Sequence, residues 1–318
     1  MTGPAMVTAV DMAGTRRMVR VIDTLGEMFV DLAAGRTRSP ARTVIEHGDE
    51  RVLLVSPAVW ERRGVGSVKI TTLTPDNPGR GLPLIHGIVA LTDLETGQIT
   101  ALLDGAELTA VRTGAVAAVA TRRCTADDAE DLAVIGAGVQ ARALVRAMAA
   151  VRPIRTVRIF SRTRARAERF ADWIDDTHPA RATVCDSVKT AVADAAIICT
   201  ATSTSDNRPL IEADWVARGA HVNAIGGTHP DAIELDPALL ADALAVVEDR
   251  TAALDGAGEI RAALAAGVLT VDDLHELGTL LTGEVRADGR TTVLRTVGMS
   301  IEDTAAALAL HEAAVAVT

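Results

Sequence analysis

The chain has 318 residues, 48% of them hydrophobic and 23% charged, a composition that suits globular domains and leaves room for two. A net charge of −10 and a pI near 5.2, with no basic block to offset them, argue against a general nucleic-acid or membrane-surface role. Cys124, Cys185 and Cys199 stand far apart, match no metal-ligand spacing and suit free thiols in a reducing, cytoplasmic setting.

No basic segment followed by an apolar core opens the sequence, and no run approaches the ~18 apolar residues of a membrane span, so neither secretion nor insertion is indicated. Met18, Val21, Ile22, Leu25, Phe29 and Leu32 recur at helical spacing up to Gly35, which predicts an amphipathic helix packed on a sheet. Extended runs follow at 51–55, 65–72, 84–91 and 99–103, with a hairpin turn at 95–98, and together they predict an antiparallel sheet domain.

Lys69 stands out because the chain carries thirty arginines and only two lysines, and an ammonium is a point charge that a guanidinium fork does not mimic. Strand alternation places it with Val65, Ser67 and Thr71, opposite Val68 and Ile70. After the turn at Asp104 and Gly105 comes an alanine-rich helix. Thr109 is a plausible N-cap for it, which puts Arg112 and Thr113 in the first turn, where free N–H groups attract a carboxylate or phosphate.

The run DLAVIGAGVQA at 131–141 reads as a buried strand, a glycine turn and a helix start. Gly136 and Gly138 let the backbone approach a pyrophosphate, while Val139 and Gln140 open the helix whose N–H groups face the phosphates. A second strand, TVRIF at 156–160, ends twenty residues past Ala141 at Ser161, Arg162 and Thr163. An acidic residue there would read a ribose 2′-hydroxyl; donors and a cation favour a 2′-phosphate, so NADP(H) is expected. Arg162 is the residue expected to read it, whereas Arg164, Arg166 and Arg169 suit a solvated helix face.

Six stretches, in order, resemble the ornithine cyclodeaminase and mu-crystallin family. They are VKITTLTPDNPGRGLP around Lys69, ALLDGAELTAVRTGAVAA around Arg112, LAVIGAGVQA, CTATSTSDNRPL from Cys199, HVNAIGGTHPDAIELD from His221 and TVGMSIEDTAAA from Thr296. The resemblance implies an α/β chain with a Rossmann-type, doubly wound dinucleotide-binding domain, 125–294. This is inserted in an α+β substrate and dimerisation domain, 1–124 plus 295–318, whose sheet makes a homodimer. Arg42, Lys69 and Arg112 match the positions that hold a substrate carboxylate, and Thr200, Thr202 and Val297 match cofactor contacts.

The chain departs from the cyclodeaminases at Thr228, where those enzymes carry the aspartate that handles protons, and their acidic amine-reading residue is missing before Pro57 and Ala58. GGTHPDAIELD with Ser161-Arg162-Thr163 looks more like the ketimine reductase branch. The expected reaction is NADPH-dependent reduction of the C=N bond of a small imine carboxylate. Lys69, Arg112, Thr228 and His86 are expected at the chemistry, Thr228 hydrogen-bonding substrate or nicotinamide, and His86 or His229 serving as a proton donor. An NAD-dependent cyclodeaminase or amino-acid dehydrogenase, and a non-catalytic NADP-binding protein, stand as alternatives.

Overall fold

The computed structural model describes residues 3–48, 50–205, 207–227 and 231–315. It divides into two compact units, Met1–Ala115 with Gly298–Thr318, and Val116–Val297. The division falls inside a helix rather than at its end, and between Val297 and Gly298.

The chain opens with β1 (Ala5–Val7), a short α1 (Ala9–Met12) and α2 (Thr15–Ala33), then β2 (Thr37–Arg38), β3 (Thr43–His47), β4 (Arg51–Trp60), β5 (Val65–Leu73), β6 (Ile85–Asp93) and β7 (Ile99–Asp104). These strands form a sheet in the order β1-β7-β6-β5-β4-β2, with β3 also on β4. Among the described residues all its pairings are antiparallel except that of β1 with β7. Met18, Val21, Ile22, Leu25, Met28 and Phe29 turn one stripe of α2 into the core, the burial that a 3.6-residue apolar period produces.

Helix α3 (Gly105–Cys124) starts at Gly105, four residues before the expected cap. Asp104 Oδ1 accepts from the N–H groups of Ala106 at 2.9 Å and Glu107 at 2.8 Å, so the aspartate satisfies the free donors of the first turn. The Thr109 hydroxyl instead donates to the Gly105 carbonyl at 2.7 Å. Arg112 and Thr113 therefore lie beyond the first turn, and the expected helix N-terminal anion site at these residues is not formed.

The second unit adds β8 (Asp131–Ile135), α4 (Val139–Val151), β9 (Thr156–Phe160), α5 (Arg164–Thr177), β10 (Arg181–Val184), α6 (Val188–Val192), β11 (Ile197–Thr200), β12 (His221–Ala224), β13 (Leu244–Val247), α7 (Arg250–Gly256), α8 (Gly258–Ala265), β14 (Leu274–Glu276), α9 (Leu277–Thr282) and β15 (Thr292–Arg295). Its sheet runs β10-β9-β8-β11-β12-β15-β13-β14, parallel throughout among the described residues. β11, β12, β13 and β15 are buried along their whole length, as parallel strands covered on both faces must be.

Strand order reverses between β8 and β11, the point at which such sheets open a crevice at their carboxyl ends. The chain closes with α10 (Ser300–Val315), which belongs to the first unit and is buried from Ile301 to Leu310. The three cysteines are free. Among the described residues no helix is long and apolar enough to cross a membrane.

Candidate active site

In the first unit, Lys69 and Ser67 share one face of β5 and α10 covers it. The Ser67 and Thr304 hydroxyls lie 2.8 Å apart, and Lys69 Nζ reaches Asp303 Oδ2 at 2.7 Å and the Thr109 hydroxyl at 3.3 Å. Arg112 extends from α3 to the same helix. Its Nη1 lies 2.9 Å from Glu302 Oε2 and its Nε 3.4 Å from Asp303 Oδ1.

Asp303 thus bridges the lysine and the arginine. Burial pulls the Lys69 ammonium below the ordinary lysine value, opposed by the Asp303 charge and assisted by Arg112. Two cations and two carboxylates make the cluster formally neutral. Of the three N–H bonds of the Lys69 ammonium, Asp303 and Thr109 take two among the described residues.

Two other expectations do not join this cluster. Arg42 lies exposed in the loop between β2 and β3, without an ion pair among the described residues. His86 is exposed and pairs across β5–β6 with Thr72, whereas Lys69 pairs with Val89. Successive residues of a strand alternate faces, so His86 shares the face of Val68, Ile70 and Ile88, opposite Lys69, and a role as proton donor beside that lysine is withdrawn. Thr228 and His229 lie outside the described residues. Thr113 is buried in α3 at 6% exposure.

In the second unit, Gly136 follows β8 with φ +122°, and a Cβ there would run into the carbonyl of Ala201 after β11. The two strand ends are tied by Ala201 N–H to the Ile135 carbonyl at 2.8 Å. Gly138 is the extended N-cap of α4, with no side-chain cap and nothing within 4 Å of its Cβ position. Val139 is exposed beside it. No side chain caps the first-turn N–H groups, which leaves these donors for a phosphate.

Gln140 Oε1 is buried and has no hydrogen-bond partner among the described residues. At the end of β9, Ser161 is half-buried, Arg162 and Thr163 are exposed, and Thr163 caps α5 without a side-chain hydrogen bond. Thr200 and Thr202 point their hydroxyls at Glu234. Val297 packs on the apolar core of the unit, its N–H donating to Glu248 Oε2 at 2.9 Å.

The model of the ornithine cyclodeaminase/mu-crystallin family matches residues 3–317. The chain belongs to this family. It is 34% identical over 316 residues to the Δ1-pyrroline-2-carboxylate reductase of Bacillus cereus, covering 98% of this chain and 96% of that one. It is 34% identical over 280 residues to the ketimine reductase mu-crystallin of Mus musculus, covering 87% and 86%. Among solved structures, the Δ1-pyrroline-2-carboxylate reductase of Thermococcus litoralis in complex with NADH and L-proline superposes with a TM-score of 0.89 at 29% identity, covering 98% of each chain.

For this member of the ornithine cyclodeaminase/mu-crystallin family, the uncapped N-terminus of α4, with its backbone N–H donors, suits the phosphates of a dinucleotide. Gly136, Gly138, Val139 and Gln140 would hold its pyrophosphate. Sequence reasoning assigned no role to Glu302 and Asp303, although a signal was present. They are the only charged residues in SIEDTAAALAL, a stretch otherwise small and apolar enough to be buried, and buried acids need partners. Glu234 in DAIELD was missed for a related reason: an acidic residue beside Asp231 and Asp236 in a loop gives no sign of burial until the strands that enclose it are placed.

Proposed function

We propose that this chain reduces the C=N bond of a small cyclic imine carboxylate, such as pyrroline-2- or piperideine-2-carboxylate, using NADPH. It is an NAD(P)-dependent oxidoreductase acting on C=N groups, and the observation that carries the finer reading is the Lys69–Asp303–Arg112 bridge. A half-buried ammonium next to a guanidinium offers charge-assisted hydrogen bonds to a carboxylate, each worth ~1.5–3 kcal/mol. Because Asp303 and Glu302 already neutralise the two cations, the cluster suits a substrate that brings its own positive charge, as a protonated imine carrying a carboxylate does.

When bound, NADPH supplies the hydride that adds to the imine carbon, while the nitrogen keeps the proton it brought as an iminium. Lys69 and Arg112 hold the carboxylate and so fix the orientation of the C=N plane, a positioning contribution. Such a reaction needs little acid catalysis, which agrees with threonine rather than aspartate at position 228. Thr228 would donate to substrate or nicotinamide, and Arg42 would come to the carboxylate from its exposed loop.

NADPH rather than NADH is supported by Ser161, Arg162 and Thr163, which present donors and a cation with no carboxylate among them. A homodimer is supported by the sheet face opposite Lys69. Val68, Ile70 and Ile88 lie there at 37%, 43% and 38% exposure, Ile70 directly across from Ile88. A cytoplasmic setting fits the free thiols, of which burial pushes Cys124 up to about 11 and Cys199 up to about 12.

The deciding experiment follows NADPH and NADH oxidation with a panel of cyclic imine acids and their esters. Turnover of the acids and not the esters, faster with NADPH, is expected. Ammonia release from ornithine with NAD would point to a cyclodeaminase instead, and tight NADPH binding without turnover of any imine would leave a binding protein.

A further inference from the structure

Glu234 is fully buried, and its carboxylate receives four hydrogen bonds from the ends of two neighbouring strands. Oε1 accepts from the Thr202 N–H at 3.0 Å and the Thr202 hydroxyl at 2.6 Å. Oε2 accepts from the Thr200 hydroxyl at 2.5 Å and the Gly226 N–H at 2.8 Å. A Cβ on Gly226 would collide with this carboxylate and stand 2.5 Å from the Thr202 carbonyl oxygen, so a glycine is needed for the two loops to close on it.

A second buried acid continues the network. Glu259 Oε1 accepts from the Glu234 N–H at 2.6 Å, and its Oε2 from Arg295 Nε at 2.8 Å. The other Arg295 nitrogens donate to the carbonyls of Gly227 at 2.7 Å, Thr296 at 2.7 Å and Ala224 at 3.3 Å. Two carboxylates and one guanidinium therefore bind together the carboxyl ends of β11, β12 and β15.

These ends lie on one side of the switch point. The glycine turn of β8 and the Ser161–Thr163 corner of β9 lie on the other. A dinucleotide laid across such a sheet puts its adenosine half over β8 and β9 and its second half over β11 and β12.

We propose that Glu234, held by Glu259 and Arg295, is a positioning residue that sets the loops receiving the nicotinamide half of the cofactor. The proposal rests on the reading of this chain as a nicotinamide-dependent reductase. A carboxylate is required because each of its oxygens faces a backbone N–H, from Thr202 on one side and Gly226 on the other. A glutamine accepts through one oxygen only, so whichever way its amide turns, an NH2 group opposes a backbone donor and one loop is released.

The test is equilibrium binding of NADPH and of adenosine 2′,5′-bisphosphate, its adenosine-side fragment, to the wild type, Glu234→Gln and Thr202→Val, with thermal unfolding measured alongside. Should the wild type prefer NADH, the pair becomes NADH and AMP. Glu234→Gln is expected to weaken the whole cofactor ~10-fold, about 1.4 kcal/mol, and to leave the fragment within about twofold. Thr202→Val, which keeps the carboxylate and both backbone donors, is expected to show a smaller loss of the same kind and serves if the glutamine variant does not fold. Equal weakening of cofactor and fragment, or an unfolding shift with neither affinity changed, would overturn the proposal. A wild type that binds neither pair would remove the underlying reading instead.

Discussion

Asp303 faces two cations, so replacing it changes the balance at Lys69. Burial lowers the lysine pKa and the Asp303 charge opposes that fall; in Asp303→Asn the pKa drops further. The ammonium is then lost at a lower pH, and the alkaline limb of the pH profile of kcat/KM for an imine acid is expected to move toward neutrality. An unmoved limb would mean that Lys69 does not serve as a cation in the reaction. Arg112→Ala is expected to raise the KM for the acid at least ~10-fold through loss of a charge-assisted hydrogen bond. It also withdraws a cation from Glu302, which is fully buried, at a cost of ~3–5 kcal/mol. The double variant Arg112→Ala, Glu302→Gln separates the two effects, regaining the melting temperature while the KM stays high. At the end of β9, Arg162→Ala is expected to raise the KM for NADPH ~10-fold and leave that for NADH within about twofold, measured side by side.

Strands β5 and β6 present two different faces. One face holds Lys69 under α10; the other shows Val68, Ile70 and Ile88 to solvent in the single chain. Charging it with Val68→Asp and Ile70→Lys is expected to convert a dimer to a monomer in sedimentation velocity, while Lys69 keeps its partners. A wild type that sediments as a monomer would refute the dimer directly. Helix α10 shows how an element acquires a role outside its sequence pattern. Its length is apolar enough to be buried all round, and that burial carries Glu302 and Asp303 to the cations of β5 and α3.

Across the molecule, stability is coupled to acid through His221, which is fully buried in β12. Its Nδ1 lies 2.7 Å from the Thr292 hydroxyl and its Nε2 3.2 Å from Asn223 Oδ1, and burial lowers its pKa to about 4. Above pH ~6.5 neither folded nor unfolded state is protonated there and its contribution is complete. As the pH falls toward 4 the unfolded chain alone takes up the proton, and about 3 kcal/mol is lost. Urea unfolding of the wild type and of His221→Asn between pH 4 and 7 should show that the variant loses this part of the slope. Burial also raises the carboxyl pKa of Glu234, which gives a slope of opposite sign that remains in the variant.

Much of this was legible from local signals. The α2 stripe, the strand runs and the glycine turn at Gly136 depend on spacing and backbone freedom within a few residues, and the Lys69 face followed from alternation. The helix start at Gly105 was misjudged because two residues able to cap stand five apart, and Asp104 occupies the cap position ahead of Thr109. Which acids meet which cations was decided only in three dimensions. Asp303 reaches Lys69 across 234 positions of the chain, and Glu234 reaches Thr200 across 34. A buried charge is tolerated only where packing has removed water and supplied a partner at the same time, a condition set by the assembled strands and helices together.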